Sequence, residues 1–305
     1  MRLVFAGTPT AAIPTLRVLA EIHDIAAVIT RPDAPLGRKR VLTPSPVAHV
    51  AEELGLPIIK AARLDAEVTA RIADLKPELG VIVAYGGLVG EPLLSTPEHG
   101  WINLHFSLLP QWRGAAPVQR ALIAGDTVLG ASVFQLVPAL DAGDVFATRT
   151  VDVAEDATAD AALDVLAHDG AGLTADVVRA ISDGTAVALA QQGEPTSAAK
   201  LEFADGALHW NQPLDQVFAR FRGVTPEPGA HTTIGGVQVK ILEASRSDDA
   251  SLAPGEIAAT KSALLIGTGT QPLAVTRIQP AGKQAMNATD WWRGLRADDA
   301  MRAGE

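Results

Sequence analysis

The fold is decided by the stretch Leu79-Gly80-Val81-Ile82-Val83-Ala84-Tyr85, which is apolar almost without interruption. Such a run is typical of a strand in a parallel sheet that is buried on both faces. Similar short apolar runs predict four more strands, at 3–6, 25–30, 57–60 and 101–105. Amphipathic stretches predict helices between and after these strands, at 10–20, 46–54, 66–75 and 115–124. This alternation predicts an α/β fold built on a Rossmann-like, doubly wound parallel sheet.

The rest of the chain has a different pattern. A long helix is predicted over 159–183, and the polar segment 191–197, which contains glycine and proline, is typical of a linker. Farther on, residues 237–241 alternate like a half-buried strand, and turn signals become frequent. We therefore predict a first domain over 1–190, a linker over 191–204 and a small β-barrel domain over 205–305.

Composition narrows the classes of function. The 305 residues include no cysteine, which excludes disulfides and thiolate catalysis. No apolar run reaches the roughly 18 residues that span a bilayer, and the N-terminus resembles a first strand more than a signal peptide, so we expect a cytoplasmic protein. The histidines lack metal-ligand spacing, so no metal site is predicted. The net charge of −10 means that any nucleic-acid contact must come from a local basic cluster.

Polar side chains with catalytic potential occur on the strand predicted at 101–105. Asn103 and His105 lie two residues apart on an extended segment, so their side chains share one face. Doubly wound sheets bind ligands at the carboxyl ends of their strands, where an amide beside an imidazole can stabilise an oxyanion. Asp141 follows another strand-like run, 132–137, and could reach the same edge. On spacing alone, structural and catalytic roles for these three residues both remain open.

One segment resembles the signature of the folate-dependent formyltransferases: residues 103–119, NLHFSLLPQWRGAAPVQ. The segments 5–9, 43–47 and 83–86 and the length of the chain agree with that family. Within it, residues 112–117 resemble the branch whose acceptor is the α-amine of methionine esterified to initiator tRNA. Phe106 is a departure, because many relatives have a small residue such as glycine there. We expect it to narrow the pocket without removing a catalytic group.

The resemblance implies formyl transfer through a tetrahedral intermediate, for translation initiation. The donor would be 10-formyltetrahydrofolate, whose formyl carbon the amine of methionyl initiator tRNA attacks. Asn103 would donate a hydrogen bond to the oxyanion, and a protonated His105 would donate a second one or protonate the oxygen. Asp141 would hold His105, favour its charged form and accept the amine proton through a water. This chemistry requires no metal.

The resemblance also implies binding residues for both substrates. Four residues would lie along the pterin, where glycines permit close approach of the backbone: Tyr85, Gly86, Gly87 and Leu88. Four more would line the folate: Ser107, Leu108, Leu109 and Pro110. These segments make 1–190 the folate-binding catalytic domain, and 205–305 would be the tRNA-binding domain of a monomeric enzyme.

The densest basic cluster follows the second predicted strand. It comprises Arg31, Arg38, Lys39 and Arg40, in a long connection broken by prolines and a glycine. The resemblance implies that this loop contacts the acceptor stem of the tRNA, and these side chains suit phosphates. Without the resemblance, a solvated surface loop is the ordinary interpretation of a basic triplet.

Several other functions are compatible with some of these residues. The acceptor could be a small amine, an amino-sugar nucleotide or a glycinamide ribonucleotide, and water as acceptor would make the protein a 10-formyltetrahydrofolate hydrolase. A non-catalytic tRNA- or folate-binding module belongs to a different class. The basic loop and the appended β domain argue against a small acceptor. The set of Asn103, His105 and Asp141 argues against a non-catalytic module.

Overall fold

The computed structural model describes residues 1–37, 40–249, 252–295 and 301–304. The chain divides into two compact units. The first comprises Met1–Pro117, Val128–Asp152 and Leu163–Ala198, and the second comprises Val118–Thr127, Val153–Ala162 and Ala199–Glu305.

Strands and helices alternate through the first 198 residues. The strands are β1 (Arg2–Gly7), β2 (Asp24–Thr30), β3 (Ala34–Leu36), β4 (Val41–Thr43), β5 (Ile58–Lys60), β6 (Leu79–Val83), β7 (Trp101–His105), β8 (Arg113–Gly114), β9 (Leu129–Gln135), β10 (Val145–Val151) and β11 (Ser197–Ala198). The helices are α1 (Ile13–Ile22), α2 (Pro46–Glu53), α3 (Ala66–Asp74), α4 (Pro117–Ala124) and α5 (Ala159–Ser182).

Local chemistry sets the ends of these elements, as α2 illustrates. The Ser45 hydroxyl accepts a hydrogen bond from the backbone N–H of Ala48, and Pro46 occupies the first helical position, where no partner is needed for its nitrogen. Gly55 follows the helix with a φ of 66°, a left-handed conformation that glycine adopts readily.

The first unit is built on a seven-stranded sheet in the order β10-β9-β7-β6-β1-β2-β5. The five strands from β7 to β5 are parallel, and the chain order reverses beside β1, which makes the sheet doubly wound. Strand β6 is buried along its whole length. The predicted α/β fold is therefore confirmed. Strand β9 departs from the parallel prediction, because it runs antiparallel to β7 and pairs with β10 in a second antiparallel ladder.

The second unit contains one antiparallel sheet and two helices. Its elements are α6 (Leu214–Val224), β12 (His231–Ile234), β13 (Val237–Arg246), β14 (Ile257–Ala259), β15 (Leu264–Ile266), β16 (Leu273–Pro280), β17 (Met286–Asn287) and α7 (Ala288–Gly294). The strands pair in the order β12-β13-β16-β15-β14, with β17 beside β16. Ala303 bridges to Ile234, and Arg302 bridges to Glu256 beside β14, so the C-terminal segment joins the two edges of the sheet. This closure confirms the predicted small β-barrel.

The core of the second unit is aromatic and aliphatic. It includes Trp210, Phe218, Phe221 and Trp291, each 5 % exposed or less. Trp292 packs against the same cluster, so the tryptophan pair stabilises this domain. Among the described residues, no helix has both the length and the apolar character that crossing a bilayer demands.

Candidate functional site

A cavity of about 660 Å³ opens at the carboxyl ends of the parallel strands. Its walls are the segment after β6 (84–89), the end of β7 (103–106) and the loop after β9 (136–141), completed by parts of the 114–117 segment. Its volume lies in the range of small-molecule sites, about 300–1,000 Å³. The position agrees with the rule that doubly wound sheets bind ligands where the strand order reverses.

The three candidate catalytic residues meet at this cavity. Asn103 and His105 both line it from β7, as their spacing of two predicted, and Asp141 lines it from the loop after β9. His105 and Asp141 are buried, at 6 % and 7 % exposure, whereas Asn103 is half-buried. The His105 Nδ1 lies 3.8 Å from the Asp141 Oδ2.

The tautomer of His105 follows from its hydrogen bond. Its Nε2 lies 2.8 Å from the backbone oxygen of Trp112, and a carbonyl oxygen only accepts, so Nε2 carries a proton. In the neutral ring, Nδ1 is therefore the free base, and it is the nitrogen nearer to Asp141. The edge of the imidazole packs against Phe134, with ring centroids 6.3 Å apart, which fixes its plane.

The surroundings of His105 shift its pKa in opposite directions. Burial lowers the pKa of His105 below its usual value, and the nearby Asp141 carboxylate and the bond to Trp112 raise that pKa without overcoming burial. The predicted influence of Asp141 is thus correct in direction. Burial therefore opposes the charged imidazolium that the resemblance implies, and the role of a protonated His105 stays a prediction.

Asp141 reaches the site from a strand that runs antiparallel to β7, which the sequence did not predict. Because β9 is antiparallel to β7, Gln135 at its end pairs with Ile102, near the start of β7. The loop must then return towards the end of β7, and it delivers Asp141 in a left-handed conformation with a φ of 47°. The Asp141 Oδ2 accepts a hydrogen bond of 2.7 Å from the backbone N–H of Gly114, which fixes the carboxylate.

Backbone strain is concentrated around this site. Five non-glycine residues in the described part of the chain have a positive φ, and three of them are Ala84, Trp112 and Asp141. Ala84 and Asp141 line the cavity, and the oxygen of Trp112 binds His105. A left-handed conformation costs a residue with a Cβ roughly 1–3 kcal/mol and persists only where surrounding contacts enforce it. Such strain is typical of functional sites.

The two segments expected to bind folate have different positions. Tyr85, Gly86, Gly87 and Leu88 line the cavity, and at Gly86, which has a φ of 80°, no atom lies within 4 Å of where a Cβ would be. The residues 107–110 do not appear in the cavity wall as the described residues define it. The Ser107 hydroxyl instead donates to the Gln111 oxygen, and Ser132 Oγ bonds to the backbone at both Ser107 and Leu109. Their assignment to folate stays a prediction.

Phe106, the departure from the family pattern, borders the cavity directly and is 8 % exposed. Its ring therefore takes space that a glycine would leave open.

The basic connection after β2 contains a short hairpin. Strands β3 and β4 form an antiparallel ladder that pairs Ala34 with Thr43 and Leu36 with Val41. Arg31 Nη1 donates to the oxygen of Pro32, and the backbone N–H of Arg40 donates to Gly37. Arg38 and Lys39 lie outside the described residues. Of the residues that break the predicted connection, Pro35 lies in β3 and Gly37 in the turn after it, whereas Pro32 precedes the hairpin.

The described residues 1–37, 40–249, 252–295 and 301–304 contain no group of three His, Cys, Asp or Glu side chains placed to hold a metal ion. The polar side chains of the cavity wall are the Asn103 amide, the His105 imidazole, the Asp141 carboxylate and the Tyr85 phenol.

Sequence reasoning missed several residues that surround the trio. Gln191 Nε2 donates to the backbone oxygens of Asp141 and Gly143, at 2.8 and 2.9 Å, and its Oε1 accepts from Arg113. Thr196 Oγ1 accepts from the backbone N–H of Trp112 at 2.8 Å. Gln191 and Thr196 lie in a polar segment with no periodicity, so no local signal marks them.

Comparison with known proteins places this site in a family. Residues 1–178 match the model of the formyl transferase family, described as "Formyl transferase", and residues 200–296 match "Formyl transferase, C-terminal domain". The methionyl-tRNA formyltransferase of Leifsonia xyli subsp. xyli is 59% identical over 96% of this chain and 97% of its own length.

Two solved structures share the fold at low sequence identity. The N-formyltransferase of Helicobacter canadensis, in complex with folinic acid and dTDP-3-aminofucose, gives a TM-score of 0.70 at 14% identity and covers 93% of this chain and 99% of its own. The methionyl-tRNA formyltransferase of Clostridium thermocellum gives a TM-score of 0.58 at 16% identity, with 82% and 95% covered. With both domains matched in order and a close relative aligned along nearly its whole length, this chain belongs to the formyl transferase family.

Proposed function

We propose that this protein is an enzyme that transfers the formyl group of 10-formyltetrahydrofolate to the α-amine of methionyl initiator tRNA, for translation initiation. The observation that carries the proposal is identity of 59% along almost the whole chain to a methionyl-tRNA formyltransferase. The cavity at the end of β7, with Asn103, His105 and Asp141 in its wall, supports the same reaction.

The cavity suits a folate as the formyl donor. Its wall combines apolar side chains such as Ile82 and Val89 with the open backbone of Gly86, which could hydrogen bond to the edge of a pterin. Tyr85 and Leu88 would flank that ring. When bound, 10-formyltetrahydrofolate supplies an activated formyl carbon and a nitrogen leaving group. Ser107, Leu108, Leu109 and Pro110 would line the folate beyond this wall.

His105 would serve as the base. The neutral ring leaves Nδ1 unprotonated, and general-base catalysis by such a group contributes typically about 10²–10⁴-fold to a rate. As the amine nitrogen bonds to the formyl carbon, His105 takes a proton from that nitrogen. It returns the proton to the folate nitrogen when the bond from that nitrogen to the formyl carbon breaks. The proton balance closes without any other acid or base.

Asn103 would act on the formyl oxygen. Its side-chain N–H groups can donate to the negative charge that this oxygen develops when the amine attacks. One donor of this kind is worth roughly 3–4 kcal/mol of transition-state stabilisation in other acyl-transfer enzymes. Its place on β7, two residues from His105, brings donor and base to one face of a rigid strand.

Asp141 would stabilise His105 after the proton transfer. The carboxylate is held by the Gly114 N–H and lies 3.8 Å from Nδ1, so the imidazolium finds an opposite charge in place. The effect is greatest when His105 is charged, as it is after it has taken the proton of the amine.

The remaining regions would recognise the acceptor. We assign residues 1–190 to folate binding and catalysis, 191–204 to the connection, and the β-barrel of 205–305 to the tRNA. Arg31, Arg38, Lys39 and Arg40 would contact phosphates of the acceptor stem. We expect a monomer that works in the cytoplasm, where its substrates are found.

A second candidate acceptor is an amino-sugar nucleotide. The Helicobacter canadensis structure, whose complex contains dTDP-3-aminofucose, overlays this chain at least as well as the Clostridium thermocellum protein does. Similarity at this level concerns the fold alone. The basic hairpin and the appended barrel favour the tRNA, because a small acceptor needs neither.

The test is a direct competition between acceptors. The protein is incubated with 10-formyltetrahydrofolate and, separately, methionyl initiator tRNA, a dTDP-amino sugar, glycinamide ribonucleotide or buffer alone. We expect formyl incorporation into the tRNA to exceed every other rate. Faster formylation of a small amine, or formate release without an acceptor, would overturn the proposal in favour of that reaction.

A further inference from the structure

A polar segment lies along the loop that follows His105. Residues 191–198, which we call the strap, hydrogen bond to residues 110–116 at several points. The backbone N–H of Arg113 donates to Thr196 and that of Ala116 to Ala198, and β11 pairs with β8 in a short parallel ladder. Gly114 permits this contact, because a Cβ there would lie 2.6 Å from the oxygen of Ala198.

The amide of Gln191 is fully used. Both N–H groups donate to backbone oxygens, those of Asp141 and Gly143, and Oε1 accepts from Nε and Nη2 of Arg113 at 3.1 and 2.7 Å. Since carbonyls only accept and a guanidinium only donates, the orientation of the amide is fixed. Gln191 thereby holds the backbone of the left-handed Asp141 against Arg113.

Thr196 holds the residue that contacts the other nitrogen of His105. Its hydroxyl oxygen accepts from the N–H of Trp112 and donates to Gln111 Oε1. The oxygen of Trp112, whose φ is 61°, is the partner of His105 Nε2. The strap therefore binds the residues that contact both nitrogens of the imidazole.

Burial of apolar side chains does not explain what holds the strap in place. Within it, only Ala198 is buried, and residues 192–197 are exposed. Its hydrogen bonds to residues 110–116 and 141–143 include those to Trp112 and Asp141, the two residues beside the His105 ring. A segment of this kind contributes little apolar stabilisation, whereas its hydrogen bonds have fixed geometry.

We propose that the strap is a positioning element of formyl transfer, in which Gln191 fixes Asp141 and Thr196 fixes Trp112 so that both neighbours of the His105 ring are set by one segment. The inference rests on the proposed catalytic roles of His105 and Asp141. Gln191 and Thr196 are positioning residues, since they act through other residues.

The first test compares two adjacent glutamines. Gln191→Leu removes the four hydrogen bonds of the Gln191 amide with little change in side-chain volume. Gln192→Leu is the matched control, because Gln192 is exposed and its amide bonds, among the described residues, to the oxygen of Ala190, at 3.3 Å. We expect Gln191→Leu to lower kcat about 10- to 100-fold, the loss typical of a misplaced catalytic group, with the folate Kd nearly unchanged. The control should match the parent protein.

The second readout is the pKa of His105, measured by NMR titration without folate or acceptor. Loss of the fixed Asp141 carboxylate should lower this pKa further in Gln191→Leu, and Thr196→Val should lower it by displacing the Trp112 oxygen. Thr196→Ser keeps a hydroxyl and should restore both pKa and kcat. This titration needs no formyl transfer, so it tests the strap even if the acceptor is not tRNA.

Unchanged His105 pKa values in both Gln191→Leu and Thr196→Val would overturn the proposal, whatever their kcat. So would kcat values within about threefold of the parent, a difference under roughly 0.7 kcal/mol. If Gln191→Leu does not fold, the Thr196→Val and Thr196→Ser pair decides the question alone.

Discussion

The cavity and the β3–β4 hairpin, both in the first unit, differ in how deeply their side chains are buried. In the cavity, His105 and Asp141 are more than nine-tenths buried, and each is held by a backbone hydrogen bond. On the hairpin, Leu36, Val41 and Leu42 are 53 %, 59 % and 67 % exposed, and basic residues adjoin it in a chain whose net charge is −10.

This contrast separates chemistry from recognition. A buried, rigid site can stabilise a transition state, because its groups are oriented before the substrate arrives. An exposed hairpin with apolar sides and cationic residues presents the surface that a large anionic partner could contact. The difference predicts that changes in the cavity alter kcat, whereas changes on the hairpin alter KM for the tRNA.

The largest effect is expected in the cavity. His105→Ala and Asn103→Ala should each lower kcat by about 10²–10⁴-fold and leave folate binding nearly intact, because both act on groups that change in the transition state. Steady-state kinetics and a folate titration measure the two quantities. His168→Ala is the control, since that exposed histidine lies on α5, away from the cavity. Activity within about threefold of the parent would remove either residue from the catalytic assignment.

The next effect concerns Asp141. Asp141→Asn keeps the shape but loses the charge that raises the pKa of His105, so that pKa should fall below its already lowered value. A base works only when deprotonated, so the parent should lose activity as pH falls through the His105 pKa, below about 6.5, and be insensitive to that group at neutral pH.

In Asp141→Asn the acid limb of the pH–rate profile should move to lower pH, while kcat at neutral pH falls because the imidazolium is no longer stabilised. NMR titration of His105 and the pH dependence of kcat test this together. An unchanged His105 pKa would show that Asp141 does not act on the ring.

The features that the sequence predicted correctly are those set by residues close together along the chain. Strand β7 was predicted at its observed bounds, and α5 to within a residue, because burial patterns are local. The face shared by Asn103 and His105 follows from the geometry of one strand. In contrast, the direction of β9, the hydrogen bonds of Gln191 and the lowered pKa of His105 depend on contacts between distant segments, which periodicity does not encode.

The smallest effect is expected on the hairpin. Replacing Arg38, Lys39 and Arg40 with Ala should raise KM for the charged tRNA and leave folate binding unchanged. Each lost phosphate contact should also flatten the slope of log K against log salt by about 0.7–0.9. Alanine at Arg63, Arg71 and Lys76 is the charge-matched control, since these exposed residues of the first unit remove the same charge elsewhere. Unaltered tRNA affinity and salt slope would make the hairpin an ordinary surface feature.

The central claim is that the buried trio performs the transfer while the surface selects the acceptor. One measurement tests it: formyl transfer from 10-formyltetrahydrofolate to methionyl initiator tRNA and to a methionine ester, for the parent, His105→Ala and the hairpin triple variant. We predict that the parent prefers the tRNA, that His105→Ala loses both reactions, and that the triple variant loses the preference but keeps the parent's rate with the ester. Equal losses of both reactions in the triple variant, or transfer to either acceptor by His105→Ala at the parent's rate, would contradict the account.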